Sequence, residues 1–547
     1  MTTDPSQIDL GGPPVDRDRI AGDSVAVAGW TMVSRITGFG RFVAIAAVLG
    51  PTFFGNLFEA TNLLPNLAFE LLTGPLIAAM LVPSLVKRLD ANKHEALERL
   101  AGGFLGVLSL VFAVAVLVVI AAGPLVLGLL TILVPDAGIR ADQLSVGWPL
   151  LAMLMPQAVL YAVAATGVAV QNSHDKFRLA AAAPAVENIG IMIVMGISAA
   201  VYGFGVEVGE VGMGQLLLLG LGTTASVGLH AGLQWWGAHR VGVQLVPRAG
   251  WKNPDVRRIL KLAVPSTGYA GLNGARTVGL LVVAGSIPGG VIAFQLGRYF
   301  FNLPVAIAAR PVITAQLPRL SRAFNEDDQG RFLSTYRNGI NLILFVAVPA
   351  SLLLVALATP MAQAAAYGEM ASAVGVALAA VAIGTLAPGI VGESLFLAAT
   401  SACYSRGNAR TPLKATIVRV ALTFVGMILA VAIGEGITVL AILGLSVALT
   451  DLISGFGLHE ALMRSIPASR DRVSRPEVLA NLGIALVSVA AGAGFAALAR
   501  SMTLPGRFTQ AVLGAGVVIV VYLLLQRVRN SPELDELLAV FRKPESV

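Results

Sequence analysis

Apolar runs long enough to cross a hydrocarbon core of ~30 Å recur from one end of this chain to the other. No long soluble stretch interrupts them. In lipid every backbone N–H and C=O must find its partner within the protein, so such a chain folds as transmembrane helices or as a closed barrel. The runs are too long and too uniformly apolar for alternating barrel strands. They predict an all-α polytopic membrane protein. Composition agrees, at 56% hydrophobic and only 13% charged residues.

Hydropathy and helix breakers together place about fourteen spans. They run over 25–49, 57–86, 100–123, 145–170, 179–203, 212–238, 257–284, 290–318, 335–358, 373–401, 414–433, 436–462, 476–499 and 508–526. Residues 124–135 are too short to span and read as interfacial. With the N-terminus inside, cytoplasmic segments hold 29 of the 38 Lys and Arg residues and the opposite loops hold three, Arg140, Arg500 and Arg507. A miscounted span would invert that bias partway along. Both termini are therefore expected in the cytoplasm of a multi-pass cell membrane protein. The net charge of +7 follows from these short loops and calls for no nucleic acid. The single Cys403 leaves no intramolecular disulfide or cysteine metal site. The histidines have no metal-ligand spacing, and there is no Walker A loop. Nothing points to a catalytic residue, a metal or a cofactor.

Two stretches read alike. ATNLLPNLAFELLTGPLIAAMLVPSLVKRL (60–89) and GRYFFNLPVAIAARPVITAQLPRLSRAF (297–324) each place Leu-Pro early in a span and Pro-x-Leu before a basic loop. Pro65 matches Pro304, and Pro83 matches Pro318. QNSHDKFRLAAAAP (171–184) and YSRGNARTPLKATI (404–417) repeat in the same order at a similar offset. The expected architecture is two six-helix lobes related by a pseudo-two-fold axis, plus two C-terminal helices. The divisions are a disordered tail over 1–24, an N-lobe over 25–240, a linker over 241–256 and a C-lobe over 257–465. The last two helices fill 466–530, and a cytoplasmic tail fills 531–547.

Six arginines complete the 38 basic residues from within the spans: Arg35, Arg41, Arg276, Arg298, Arg310 and Arg419. A charge at membrane depth is costly and usually faces a protein interior or a wet cavity. Arginine keeps its proton, and its planar fork suits phosphate and carboxylate. Arg35 and Arg41 lie in the first span of one half. Arg276 and Arg298 lie in the first two spans of the other, where a cavity between lobes would be walled. These four read as ligands of an anionic cargo. Arg310 and Arg419 lie near basic cytoplasmic ends and read as snorkelling residues. The intramembrane acids are Glu59, Glu70, Glu187, Glu393 and Asp451. Each could pair with an arginine or carry a proton. Asn66, Asn188, Asn273 and Asn302 read first as interhelical hydrogen-bond partners.

The pattern Ser34-Arg35, Gly38, Arg41, then Leu64-Pro65-Asn66 and Val82-Pro83-Ser84-Leu85, resembles the opening of the MurJ/MviN family of lipid II flippases. Arg298, Leu303-Pro304, Leu317-Pro318-Arg319-Leu320, Tyr404-Ser405-Arg406 and Arg410-Thr411-Pro412 resemble its second half. The resemblance spans residues 25–527. It implies the fold of the MOP exporter superfamily, with a cationic cavity between the lobes and a groove along the last two helices for a lipid tail. The implied cargo is undecaprenyl-pyrophosphate-linked disaccharide pentapeptide, moved from inner to outer leaflet by alternating access aided by membrane potential. Counterparts of Arg35, Arg41 and Arg298 are the functional arginines of that cavity. The substrate-contact set is Arg35, Arg41, Arg276 and Arg298, with Ser34, Asn66 and Asn302. Membrane lipids and cell-wall synthesis and division proteins are the expected partners. The chain departs from the family at Asn56, at Phe69 and Glu70, and at Asn302, where charged residues are frequent. An exporter of another polyprenyl-linked oligosaccharide and a non-transporting scaffold of the cell-wall machinery stay open as alternatives.

Overall fold

The computed structural model describes residues 17–73, 81–466, 475–501 and 507–539. Among these there is no β-strand. The first half comprises α1 (Arg17–Leu49), α2 (Phe53–Thr73), α3 (Val82–Asp90), α4 (His94–Ala121), α5 (Gly123–Thr131), α6 (Ala137–Leu154), α7 (Gln157–Ser173), α8 (Arg178–Tyr202) and α9 (Met213–Arg240). The second comprises α10 (Pro254–Ala284), α11 (Gly290–Asn325), α12 (Gln329–Ala356), α13 (Ala358–Ala365), α14 (Ala373–Leu386), α15 (Gly389–Ser405), α16 (Arg410–Ile433) and α17 (Ile437–Arg464). Three helices follow: α18 (Arg475–Ser501), α19 (Arg507–Val528) and α20 (Pro532–Ala539).

By length and apolarity, 11 helices among the described residues can cross a membrane, and the bent pair α14–α15 makes a twelfth. A count of fourteen would need α2 and α10 as well. Both carry polar residues along their length: α2 has Asn56, Glu59, Asn62, Asn66 and Glu70, and α10 has Asn273 and Arg276. The first helix starts at Arg17, earlier than the expected boundary at 25, so the expected tail is partly helical; its residues 1–16 lie outside the described residues. The tail expected after 530 contains α20, and 540–547 lie outside the description. The span expected over 57–86 likewise includes 74–80, outside the described residues.

The repeat is carried in the packing. Helix α8 lies on α1 as α16 lies on α10, and α9 contacts α7 and α8 as α17 contacts α15 and α16. The breaks repeat too. Two spans read from the sequence as continuous are each divided at a proline, Pro156 between α6 and α7 and Pro388 between α14 and α15. A ring with no N–H cannot continue the backbone ladder. The segment expected at the interface after 123 forms the short α5, which opens with Pro124; its counterpart α13 contains Pro360. The turns before α4 and α12 each use a left-handed residue, Asn92 and Asp327.

The two halves are pinned together at the end where α1 finishes. Buried Asn56 donates from Nδ2 to the Ile287 carbonyl at 2.7 Å, and its Oδ1 accepts from the Val291 N–H at 2.9 Å. Beside it Gly289 has φ of 72°, and a Cβ there would stand 2.3 Å from the Cα of Pro51. Gly368 packs so closely that a Cβ would meet the Ala47 carbonyl at 2.3 Å. Asn56→Ala strips both bonds; the Ile287 carbonyl keeps the Gly290 N–H at 3.1 Å, but the buried Val291 N–H loses its acceptor, at about 1–3 kcal/mol. We expect this substitution to populate a separated arrangement of this end. Spin labels on the exposed Phe204 and Tyr367 positions, one in each half, should report a longer distance; an unchanged distribution would refute the clamp.

The last two spans pair with each other and dock on α12 and α13. Tyr522 packs against Phe345 and donates its hydroxyl to the Phe345 carbonyl at 2.9 Å. Leu357, Val489, Ala496 and Val518 form a second small apolar cluster there.

Candidate functional site: an arginine-lined cavity

A cleft of about 230 Å³ lies against the second half. Helix α10 brings Asn273, Arg276 and Thr277 to it, α11 brings Arg298 and Asn302, α15 brings Glu393 and Phe396, α16 brings Arg419, and α17 brings Asp451. Glu70 of α2 is the contribution of the first half. Asn66 is exposed one helical turn before Glu70 and so lies on the same face of α2.

Four of these helices, α10, α15, α16 and α17, meet in an ion-pair network. Arg276 donates from Nη2 to Asp451 Oδ1 at 2.8 Å and from Nε to Thr423 Oγ1 at 3.0 Å. Arg419 donates from Nε to the same Asp451 oxygen at 2.8 Å and from Nη2 to Glu393 at 2.5 Å. Its guanidinium lies over Phe396, 4.9 Å from the ring centroid. Arg276 and Arg419 are both 6% exposed. The snorkelling reading of Arg419 is therefore corrected: its side chain turns inward to two carboxylates and does not reach a polar interface. Its partners lie 26 and 32 positions away in sequence, on other helices. Nothing local could have announced them. Arg310 is exposed on α11.

Arg298 differs. It is half-buried in the same cleft, and among the described residues it makes no hydrogen bond or ion pair. Glu70, Glu393 and Asp451 are near enough to act on it electrostatically.

A second cluster belongs to the first half. Arg41 Nη1 reaches Glu187 Oε1 at 3.3 Å, and His230 Nδ1 lies 2.7 Å from Glu187 Oε2. Tyr161 and Tyr299 flank this group, and Tyr299 follows Arg298 directly on α11. Phe39 and Phe42 of α1 pack on the Tyr299 ring, so α1 and α11 touch here. Ser34 and Arg35 lie about two turns closer to the start of α1. Arg35 is exposed and has no ion-pair partner among the described residues. The Ser34 carbonyl accepts from Asn188 Nδ2 at 3.2 Å, an interhelical bond that joins α1 to α8.

The structure thus gathers Arg276, Arg298 and Asn302 in one cleft and sets Arg41 beside it. Ser34 and Arg35 stand further along α1, and Asn66 on the facing helix. Every intramembrane acid named from the sequence falls with an arginine. Glu187 pairs with Arg41, Asp451 with Arg276 and Arg419, and Glu393 with Arg419. Glu59 lies within reach of Arg41, and Glu70 of Arg298. Sequence reasoning names Asp451 and Glu393 as acids able to pair with an arginine, without saying which, and leaves Thr423 and His230 unassigned.

Two related helical halves, broken helices and a charged cleft among apolar spans are the architecture of a membrane transporter. Residues 45–513 match the family described as lipid II flippase MurJ, and the chain belongs to that family. It is 24% identical over 398 residues to a probable lipid II flippase MurJ of Rhizobium tropici, covering 73% of each chain. It is also 24% identical to the lipid II flippase MurJ of Burkholderia cenocepacia, over 72% of this chain and 75% of that one. Its fold resembles the solved lipid II flippase MurJ in an inward closed conformation, with a TM-score of 0.71 and 17% identity over 92% of this chain and 99% of the other. An inward-facing multidrug resistance MATE family transporter of the MOP superfamily shares the fold at a TM-score of 0.63 and 14% identity, over 82% and 99%.

Proposed function

We propose that the protein moves lipid II from the cytoplasmic to the outer leaflet by alternating access, with its pyrophosphate seated on Arg298 and Arg35. The observation that carries this reading is the division of labour among the arginines. Arg41, Arg276 and Arg419 are already held by carboxylates, whereas Arg298 and Arg35 are not. A diphosphate offers oxygens spaced for two guanidinium forks. Arg41 and Arg276 complete the site once the cargo competes with their acids. Ser34, Asn66 and Asn302 are uncharged donors around it. The positive-inside bias puts both termini in the cytoplasm. The Asn56 clamp then seals the outer side, and the cleft takes cargo from the leaflet on which a cytoplasmic precursor is made. The last two helices offer their outer surface to the lipid tail.

The test is replacement of the resident lipid II flippase of a depletable strain by this chain. Accessibility of lipid II to an external probe should return to normal. Restored export of a different polyprenyl-linked saccharide, with outer-leaflet lipid II unchanged, would assign the rival cargo. Normal wall growth with neither lipid exported would make the protein a scaffold.

A further inference from the structure

We propose that His230, Glu187 and Arg41 form a proton-binding site that couples proton uptake to loading of the anionic cargo. The inference rests on the cargo reading above and adds to it the coupling ion and the residues that carry it. One carboxylate is shared between an arginine and a histidine on different helices. Glu187 of α8 gives Oε1 to Arg41 of α1 at 3.3 Å and Oε2 to His230 of α9 at 2.7 Å. The side chains of Glu187 and His230 are 9% and 12% exposed and that of Arg41 is 23% exposed. The histidine holds the carboxylate at shorter range, and the arginine is the more accessible of the two cations.

The nitrogen facing a carboxylate carries the proton in neutral imidazole, so Nδ1 donates to Glu187 and Nε2 is the position that accepts a further proton. With His230 neutral, the arginine charge and the carboxylate charge cancel. A proton taken by Nε2 from water leaves the triad at one net positive charge. The carboxylate then serves an imidazolium, and its hold on Arg41 weakens. Arg41 becomes available to an incoming phosphate, and its Nε, buried with no hydrogen-bond partner, gains an acceptor. Proton and anion therefore favour each other, and by linkage the effect is reciprocal.

Glu59 of α2 and Tyr299 of α11 also act on Arg41. Helix α9 packs against α6, α7 and α8. At mid-depth these bring Tyr161 and Glu187 to the triad. Arg140 and Asp142 of α6, Arg178 and Tyr202 of α8, and His239 and Arg240 of α9 itself are near helix ends.

The experiment is calorimetric titration of lipid II into the full-length protein in lipid nanodiscs at pH 5.5 and 8.0. Buffers of different ionisation enthalpy report the protons taken up. The wild type should bind about tenfold tighter at the lower pH, within the usual range of coupling between sites, and take up about one proton. His230→Gln should bind as the wild type does at high pH, with no pH slope. Glu187→Gln frees Arg41 permanently and should bind tightly at both pH values. The two variants move in opposite directions, which misfolding cannot mimic. A wild-type slope retained in His230→Gln, weakening in both variants, or wild-type binding without proton uptake would each overturn the proposal while leaving the cargo reading intact. No binding of lipid II by the wild type at either pH would overturn the cargo reading, and the proposal with it.

Discussion

Replacing Arg298 with alanine should abolish rescue of a flippase-depleted strain while leaving the protein folded. The side chain carries a full charge in a cleft whose other arginines, Arg276 and Arg419, are tied to acids, so removing it takes away the cleft arginine that has no ion-pair partner among the described residues. It leaves no tightly paired acid behind: Glu70 is exposed and makes no ion pair with it. Two charge-assisted hydrogen bonds to a phosphate contribute about 1.5–3 kcal/mol each. Their loss corresponds to a fall in lipid II affinity of about a hundredfold or more. Lysine at this position restores the charge but not the fork and should recover only part of the activity. Thermal unfolding in detergent should be unchanged. Rescue at wild-type level by Arg298→Ala would refute the assignment of this arginine to the cargo.

Replacing Asp451 with alanine should have the largest effect on stability. One oxygen of Asp451 accepts from both Arg276 and Arg419. Without it Arg276 keeps Thr423 alone, and Arg419 keeps Glu393 alone. Breaking a buried pair leaves an uncompensated charge, at about 3–5 kcal/mol. A fall of several degrees in the unfolding temperature in detergent is the expected readout. Removing the partner as well, in Arg276→Met with Asp451→Leu, should recover much of that loss, because a well-packed apolar pair avoids burying charge. If Asp451→Ala unfolds at the wild-type temperature, the network is not structural.

The sequence carries the fold at the level of spans because lipid leaves a chain few choices. Charge bias in the loops gives an expected orientation for the spans, and Pro65 with Pro304 and Pro83 with Pro318 betray the duplication. The broken helices were less legible. Pro156 and Pro388 are plain in the sequence, yet hydropathy runs through them unbroken, and only geometry shows that each divides a span in two. The site divides in the same way. Arginines at membrane depth can be recognised one at a time, because each is costly alone. Their partners cannot, since Asp451 lies 175 positions from Arg276 and Glu187 lies 146 from Arg41. Arg419 was misread for this reason, and His230 had no pattern to attract notice. Asn56 is visible in the sequence only as a departure from the family. Its two bonds across the seam between the halves give it a positive role.

The docking of α18 and α19 on α12 and α13 sets a fixed measure within the molecule. Arg276, Arg298 and Arg419 belong to the same half that carries those two helices. If the halves separate at the Asn56 seam as the proposed cycle requires, Arg298 and the paired helices travel together. A cargo with its head on Arg298 and its tail along α18 and α19 would then keep one head-to-tail separation throughout the cycle. On that reading the second half would act as a ruler, discriminating against a lipid whose linkage is too short to bridge the two marks.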